Sequence, residues 1–263
     1  PYFYIRLILI IMKKIIMVTG ATAGFGKAIV VKFAANGYNV IITGRRKERL
    51  DEVAKELAEL NIKVLALNFD VRKRYEVEDA IAGIPDEWKN IDILVNNAGL
   101  AVGLEKIDRG NIDDWDRMVD TNVKGLLYVT RAVAPLMVAR EKGYIFNIGS
   151  IAGKSVYEGG NVYCASKAAV DSLTRSMRID LLKNNIRVTQ IAPGMAETEF
   201  SLVRFKGDKE RAAGVYKGVK ALTADDIAEV IWYCASLPEH VCINDLIITP
   251  TQQADVMFTN RKE

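Results

Sequence analysis

Tyr163 and Lys167 stand four residues apart, as Tyr-x-x-x-Lys, downstream of Ser150 in the stretch GSIAGKSVYEGGNVYCASK. On a helix this spacing stacks both side chains on one face, about one turn apart. A free tyrosine titrates at about 10 and is a poor acid or base at neutrality. A lysine ammonium beside it favours the phenolate, and the pair can then exchange a proton with an alcohol or a carbonyl. Ser150 follows the apolar run 144–148, where a strand should stop. A hydroxyl there can hold a substrate oxygen for Tyr163. Solvated helix faces also carry Tyr-x-x-x-Lys, so its meaning depends on what surrounds it.

A second cluster comprises Gly20, Ala21, Thr22, Ala23, Gly24, Phe25 and Gly26. It follows the unbroken apolar run 14–19, which suits a strand buried on both faces, and it precedes a helical pattern over 27–36. Strand, glycine turn and helix start together make such a motif meaningful. Gly20 allows a tight turn, Gly24 lets backbone approach a pyrophosphate, and Gly26 lets the helix pack closely on the sheet. The helix N-terminus adds free N–H groups and partial positive charge for phosphates. The next strand, 39–43, runs into Gly44-Arg45-Arg46. An acidic residue there would hold adenosine ribose hydroxyls; two guanidinium forks suit a 2′-phosphate, which argues for NADP. A surface pair at a helix start is the alternative. Asp70 and Val71 follow the strand 63–68 and are placed to flank an adenine, and Asp70 also reads as the N-cap of a helix over 72–84. Asn97, Ala98 and Gly99 close the strand 91–95, where ligands bind at the sheet edge of open α/β folds.

The elements that position these residues alternate throughout. Further strands are expected at 143–149, 186–191 and 245–249, and further helices over 46–60, 113–140, 159–184 and 223–237. The pattern specifies an α/β fold with a doubly wound parallel sheet of about seven strands, flanked by helices. Asn122 and Gly125 punctuate the long helix; Asn is a poor mid-helix residue, so Asn122 either packs quietly or distorts the helix and holds a water. Residues 195–220 lack an apolar period and carry Arg204, Lys206, Lys209 and Arg211 among three glycines, which marks a lid over a site. Thr223 with Asp226 reads as a capping box. Residues 250–263 read as a polar tail. No repeat, linker or second domain is visible, so residues 12–263 are expected to form one domain.

Composition narrows the alternatives. Half of the 263 residues are hydrophobic, enough for a large core. A net charge of +3, dispersed along the chain, does not argue for nucleic acid. His240 is the one histidine, and Cys164, Cys234 and Cys242 form no Cys-x-x-Cys pair, so no metal cluster is expected. A Ser-His-Asp hydrolase would have to use His240, near the chain end. The scattered cysteines read as reduced thiols of a cytoplasmic protein, with Cys164 a small packing residue. The first eleven residues, PYFYIRLILII, are apolar, but Lys13 and Lys14 interrupt the run before it reaches spanning length. They also lack a small-residue cleavage site. Met12 reads as the natural start and residues 1–11 as a leader or cloning-derived segment; an apolar arm on a partner subunit is the alternative. No membrane span is expected.

These residues, in this order, resemble the short-chain dehydrogenase/reductase family over residues 12–250. The resemblance rests on the glycine motif, Asp70, Asn96–Gly99, Asn122, Ser150, Tyr163, Lys167 and Pro193-Gly194. It implies a Rossmann-type fold and a catalytic tetrad of Asn122, Ser150, Tyr163 and Lys167, with NADP or NAD carrying hydride. In that scheme Tyr163 is the acid/base and Ser150 orients the substrate oxygen. Lys167 lowers the tyrosine pKa and binds the nicotinamide ribose, Asn122 holds a relay water, and Pro193, Gly194 and Thr198 contact the cofactor. A closer likeness, in TGATAGFG, TGRRKERL, EWKNIDILVNNAGLA, DTNVKGL and LPEHVCIN, is to the NADP-dependent 3-hydroxy acid dehydrogenase branch. That branch oxidises serine, L-allo-threonine and related acids, and reduces small 3-oxo acids such as malonic semialdehyde. The likeness implies that Arg45 and Arg46 clamp the 2′-phosphate, and that a homotetramer forms through the two longest helices. The segment MAETEF, after Gly194, is one residue shorter than the pattern. A substrate carboxylate calls for a bidentate cation; Arg204 in the lid is the candidate, and a solvated loop charge its alternative. The same fold also serves sugars, 3-oxoacyl thioesters and broad-range ketones, and non-catalytic NADPH-binding regulators that usually lose the tyrosine or the lysine.

Overall fold

A computed structural model describes residues 13–262; the readings of residues 1–11 and of Met12 lie outside the described residues. In chain order the elements are β1 (Ile15–Thr19), α1 (Gly24–Ala35), β2 (Asn39–Gly44), α2 (Lys47–Ala58), β3 (Val64–Asn68), α3 (Arg74–Ala82), β4 (Ile91–Asn96), α4 (Ile112–Val119), α5 (Leu126–Val138), β5 (Gly143–Ile148), α6 (Asn161–Asp180), β6 (Ile186–Pro193), α7 (Phe200–Arg204), α8 (Lys209–Gly214), α9 (Ala224–Ser236) and β7 (Asp245–Ile248). The strands form one parallel sheet in the order β3-β2-β1-β4-β5-β6-β7, as the alternating pattern specified.

The pleat explains why β1 has no polar alternation. Ile16 and Val18 point to one face and pack with Phe33 of α1, Leu57 of α2 and Ile231 of α9. Ile15 and Met17 point to the other and pack with Val77 of α3, Val133 of α5 and Val170 of α6. Both faces are covered, so every position must be apolar, and each large side chain buried contributes about 1.5–3 kcal/mol. Winding reverses at β1, which pairs with β2 on one side and β4 on the other. That reversal opens a crevice at the carboxyl ends of β1 and β4.

Four sequence expectations are corrected. First, α3 starts at Arg74, and Asp70 does not cap it. The Asp70 carboxylate accepts from the Arg72 N–H at 3.0 Å and its carbonyl from the Lys73 N–H at 2.9 Å, closing a turn ahead of the helix. Second, the helix expected over 113–140 is interrupted by a π-helical turn, Asp120–Gly125, between α4 and α5. Such a widened turn often marks a functional site. Third, residues 195–220 contain α7 and α8 rather than being irregular throughout. Fourth, the polar tail after Pro250 does not simply trail over the surface. Gln253 is buried and accepts from the Met195 N–H at 2.7 Å, while Gln252 donates to the Gly218 carbonyl at 2.9 Å. The capping box of α9 is present as expected, with Thr223 and Asp226 each accepting from the other's backbone. Among the described residues no helix is long and apolar enough to cross a membrane.

Candidate active site

A cleft of about 730 Å³ opens along the carboxyl ends of β1, β4, β5 and β6. At one end lies the glycine turn. Gly24 begins α1 with φ +51°, in the left-handed region that favours glycine. The residue before it, Ala23, caps no backbone N–H with its side chain, and the first turn of α1 holds no acidic residue. A helix start without a cap leaves N–H donors and partial positive charge facing the cleft, which suits an anion. Gly26 is constrained by space: a Cβ there would collide with the Gly20 carbonyl and the Asn97 amide. Asn97 Nδ2 donates to the Thr19 carbonyl at 2.8 Å and the Gly20 carbonyl at 3.2 Å. The Thr19 hydroxyl in turn accepts from the N–H groups of Asn97 and Ala98. The β4 terminus thereby fixes the shape of the glycine turn.

Positive charge gathers at the end of β2. Arg46 donates to the Thr22 hydroxyl at 3.1 Å, and its other terminal nitrogen lies 3.7 Å from Glu199. Arg49 of α2 binds both Glu199 oxygens at 3.0 Å. Arg45 lies 3.8 Å from Asp70. Burial pushes the Arg45 guanidinium below its usual range; Asp70 opposes that, and Arg72, Arg117 and Arg46 reinforce it. Burial alone would raise the Asp70 carboxyl, but hydrogen bonds from Arg72, one of 2.6 Å, hold it below the usual carboxylate range.

At the other end lie Ser150, Tyr163 and Lys167. Ser150 ends the strand–turn junction after β5, and its hydroxyl accepts from the Ala152 N–H at 3.1 Å. Tyr163 and Lys167 share the buried face of α6, both less than a tenth exposed. Lys167 Nζ donates to the Ile148 carbonyl at 2.8 Å and sits 6.0 Å from the Tyr163 ring centroid. Burial pushes the ammonium down to about 8, so it still carries charge at neutrality. Burial also pushes the Tyr163 phenol up, against a hydrogen bond with Ser150 and the field of Arg204. The phenol is therefore a protonated donor here, and Lys167 commits its ammonium to a backbone carbonyl rather than to the tyrosine ring.

Asn122 lies behind this wall, in the π-helical turn. Its Oδ1 accepts from the Leu100 N–H at 2.8 Å, and its Nδ2 donates to the Leu100 carbonyl at 2.8 Å and the Ser166 hydroxyl at 3.0 Å. Ser166 donates in turn to the Tyr163 carbonyl at 2.7 Å. The side chain is thus engaged on both sides, by the Leu100 backbone and by Ser166, and ties the π-helical turn to α6.

The cleft is bordered by all the expected site residues except Ala21, Gly26, Asp70 and Asn122. Those four lie outside the lining, against residues that form it. Ala21, for example, is buried and ties the glycine turn to β2 through its N–H, 3.0 Å from the Thr43 carbonyl. Arg204 does reach the catalytic end: its guanidinium carbon is 5.7 Å from the Tyr163 ring centroid, and its Nε is buried without a hydrogen-bond partner among the described residues. Sequence reasoning missed Tyr157, Glu199 and Phe200, which also line the cleft. Tyr157 accepts from Arg204 Nη2 at 2.7 Å, and the Phe200 ring is 5.7 Å from that of Tyr163. An aromatic in the glycine-bounded loop before Tyr163 was the available signal, since loops on a rigid scaffold carry function. No acidic, histidine and cysteine cluster able to hold a metal occurs among the described residues.

The sequence profile of the short chain dehydrogenase family matches residues 14–208. The NADP-dependent 3-hydroxy acid dehydrogenase YdfG of Escherichia coli K12 is 51% identical over 241 residues, covering 91% of this chain and 96% of that protein. Sulfoacetaldehyde reductase 2 of Chromohalobacter salexigens is 45% identical over 244 residues, covering 92% and 96%. Among solved structures, the closed form of a serine dehydrogenase complexed with NADP+ superposes with a TM-score of 0.89 at 48% identity, covering 95% of this chain and 100% of that one.

Proposed function

Because the chain belongs to the short-chain dehydrogenase/reductase family, we propose that it is an NADP-dependent oxidoreductase acting on the 3-hydroxyl of small 3-hydroxy acids. Serine, L-allo-threonine and 3-hydroxypropionate-like acids are its substrates, and the matching 3-oxo acids are reduced in the reverse direction. The observation that carries this reading is Arg204: a guanidinium with an unpartnered buried Nε lies against the ring of Tyr163. That is an anion site beside an acid/base, as a hydroxy acid needs. The names of the relatives above support the same class.

The cleft fits the dinucleotide. The start of α1, without a side-chain cap, and the glycine turn would hold the pyrophosphate. Arg45 and Arg46 would hold the 2′-phosphate and Val71 would flank the adenine, while Asp70, outside the cleft lining, would act there through Arg45. Ala98, Gly99, Pro193, Gly194 and Thr198 line the nicotinamide end. When bound, NADP supplies the hydride acceptor or donor. Ser150 Oγ donates to the substrate oxygen and fixes it against Tyr163. During oxidation Tyr163, once deprotonated, would take the hydroxyl proton at Oη as hydride leaves the same carbon for bound NADP+; during reduction the phenol would give its proton to the carbonyl oxygen. Its protonated state in this structure is the one reduction requires. Lys167 holds positive charge beside the nicotinamide ribose, and Asn122 anchors the water that links this site to solvent.

Residues 12–263 act as one domain with the lid at about 195–220. The protein works in the cytoplasm, where its three free thiols stay reduced. It assembles as a homotetramer; the exposed Ile112 and Leu127 on α4 and α5 and Ile179 on α6 favour a helix-mediated interface. Light scattering on the purified protein checks the mass.

Spectrophotometric assays with NADP+ and NAD+ test the function. Serine, L-allo-threonine and 3-hydroxypropionate should be oxidised with NADP+ at a higher kcat/KM than neutral 1,3-propanediol. Equal or better use of the neutral alcohol would overturn the substrate class. Tyr163→Phe should lower turnover by about 10²–10⁴-fold with NADPH binding retained; unchanged turnover would remove Tyr163 as the acid/base, whereas wild type that binds NADPH but turns over none of these substrates would favour a non-catalytic NADPH-binding regulator.

A further inference from the structure

We infer that Tyr157 and Arg204 form a single anion cradle, in which the Tyr157 hydroxyl is the specificity-determining group that separates hydroxy acids from neutral alcohols. The inference rests on the 3-hydroxy acid reading above and adds a residue that neither the spacing of motifs nor the family tetrad points to.

The two side chains are 47 residues apart in sequence and meet over Tyr163. Tyr157 comes from the loop between β5 and α6, and Arg204 is the last residue of α7. The Arg204 main chain is fixed from below, because its carbonyl accepts from the Gly103 N–H at 3.0 Å. Its guanidinium carbon is 5.3 Å from the Tyr157 ring centroid and 5.7 Å from that of Tyr163. Two rings therefore hold the fork in place, a geometry that suits arginine and not lysine.

Hydrogen-bond directions then define what the cradle takes. Arg204 Nη2 donates to Tyr157 Oη at 2.7 Å. That bond uses an acceptor lone pair of the phenol and leaves its O–H to donate elsewhere, with the weakly accepting Cys164 thiol the competing partner for an anion to displace. Burial raises the Tyr157 phenol above its usual range, against the pull of Arg204, so the O–H is retained at neutral pH. Arg204 Nε is buried and unpartnered among the described residues, whereas Lys206, two residues on in the lid, is paired with Asp114 at 2.7 Å. A buried donor on a cation without an acceptor is the less common case. Here it supplies the missing half of a bidentate site: Nε–H and the phenol O–H converge on one anion from two elements. A carboxylate, planar and with two oxygens, fits this pair of donors better than a hydroxyl does.

Tyr157→Phe keeps the ring that holds the guanidinium and removes only the hydroxyl. In the full-length enzyme it should raise KM for L-serine and 3-hydroxypropionate by about 10-fold, the expected loss for a hydrogen bond to a charged group. The change in kcat should stay within about 3-fold, with constants for 1,3-propanediol unchanged. NADPH affinity, read by fluorescence titration, should be that of the wild type, which also reports an intact fold. Arg204→Lys keeps the charge but loses the fork and should show the same acid-selective rise. The double variant should be no worse than Arg204→Lys alone, because both changes break one cradle. An equal rise for acid and neutral substrates, or fully additive losses, would overturn the cradle. Wild type that fails to prefer acids would instead overturn the substrate class itself, so the two failures are distinguishable.

Discussion

Arg45 and Arg46 are adjacent in sequence but face different partners. Arg45 is turned to Asp70, itself already held by Arg72. Arg46 bridges the glycine turn at Thr22 and the lid at Glu199. Each guanidinium has one carboxylate beside it, Asp70 for Arg45 and Glu199 for Arg46, but Arg46 alone of the two also reaches the glycine turn. Arg46→Ala should weaken NADP+ binding by about 10–100-fold, in line with the loss of a charge-assisted hydrogen bond. NAD+ binding should change by less than about 3-fold, and Arg45→Ala should have the smaller effect on NADP+; calorimetric titration of both cofactors reads this. Equal losses for NADP+ and NAD+ would show that the arginines support the turn rather than read the phosphate. Local spacing made these residues legible in the sequence, as it did Tyr163, Lys167 and Ser150. The Asn122–Ser166 and Tyr157–Arg204 contacts were not legible, because each joins residues more than forty apart whose meeting is decided by packing.

At the scale of elements, the lid shows where periodicity loses its force. Helices as short as α7 and α8 are not stable alone, so no apolar repeat announces them. The lid segment that carries them is held by tertiary contacts: the Gly103 N–H on Arg204, Asp114 on Lys206, and the Gln253 side chain on Met195. The same holds for the π-helical turn, where Asn122 reaches the Leu100 backbone across the site. The long strands and α9 were legible because burial and capping are written locally. The tether from Glu199 to Arg49 joins the start of the lid to α2 through half-exposed groups. Such a pair contributes at most about 1 kcal/mol. Glu199→Gln should leave global stability nearly unchanged but speed hydrogen exchange of the α7 amides by up to about 5-fold, with the β1 amides unaffected. Unchanged exchange in α7 would mean that the tail and the Asp114 contact hold the lid without this tether.

For the molecule as a whole, the buried charge of Lys167 ties the site to the stability of the fold. Its ammonium is pushed from 10.5 down to about 8 by burial. The unfolded chain therefore binds this proton more tightly than the folded one between about pH 8 and pH 10.5. Stability must rise with pH wherever the unfolded state holds more protons, so this lysine disfavours the fold below pH 8 and the penalty fades above it. The span corresponds to a penalty on the order of 3 kcal/mol at neutrality. Buried acids act in the opposite sense. Cys234, raised from 9.0 to about 11 by burial, and Cys164, also raised by burial, keep their protons in the fold and lose stability as pH passes about 9. The net upward slope is thus confined to about pH 8–9. Urea unfolding of the protein without added cofactor should give a stability that climbs across that window and turns over above it. Lys167→Met removes the titrating group and should flatten the climb while raising stability at pH 7, at the cost of turnover. A variant that retains the climb would show that Lys167 is not the group responsible and that its ammonium is better solvated than its burial implies.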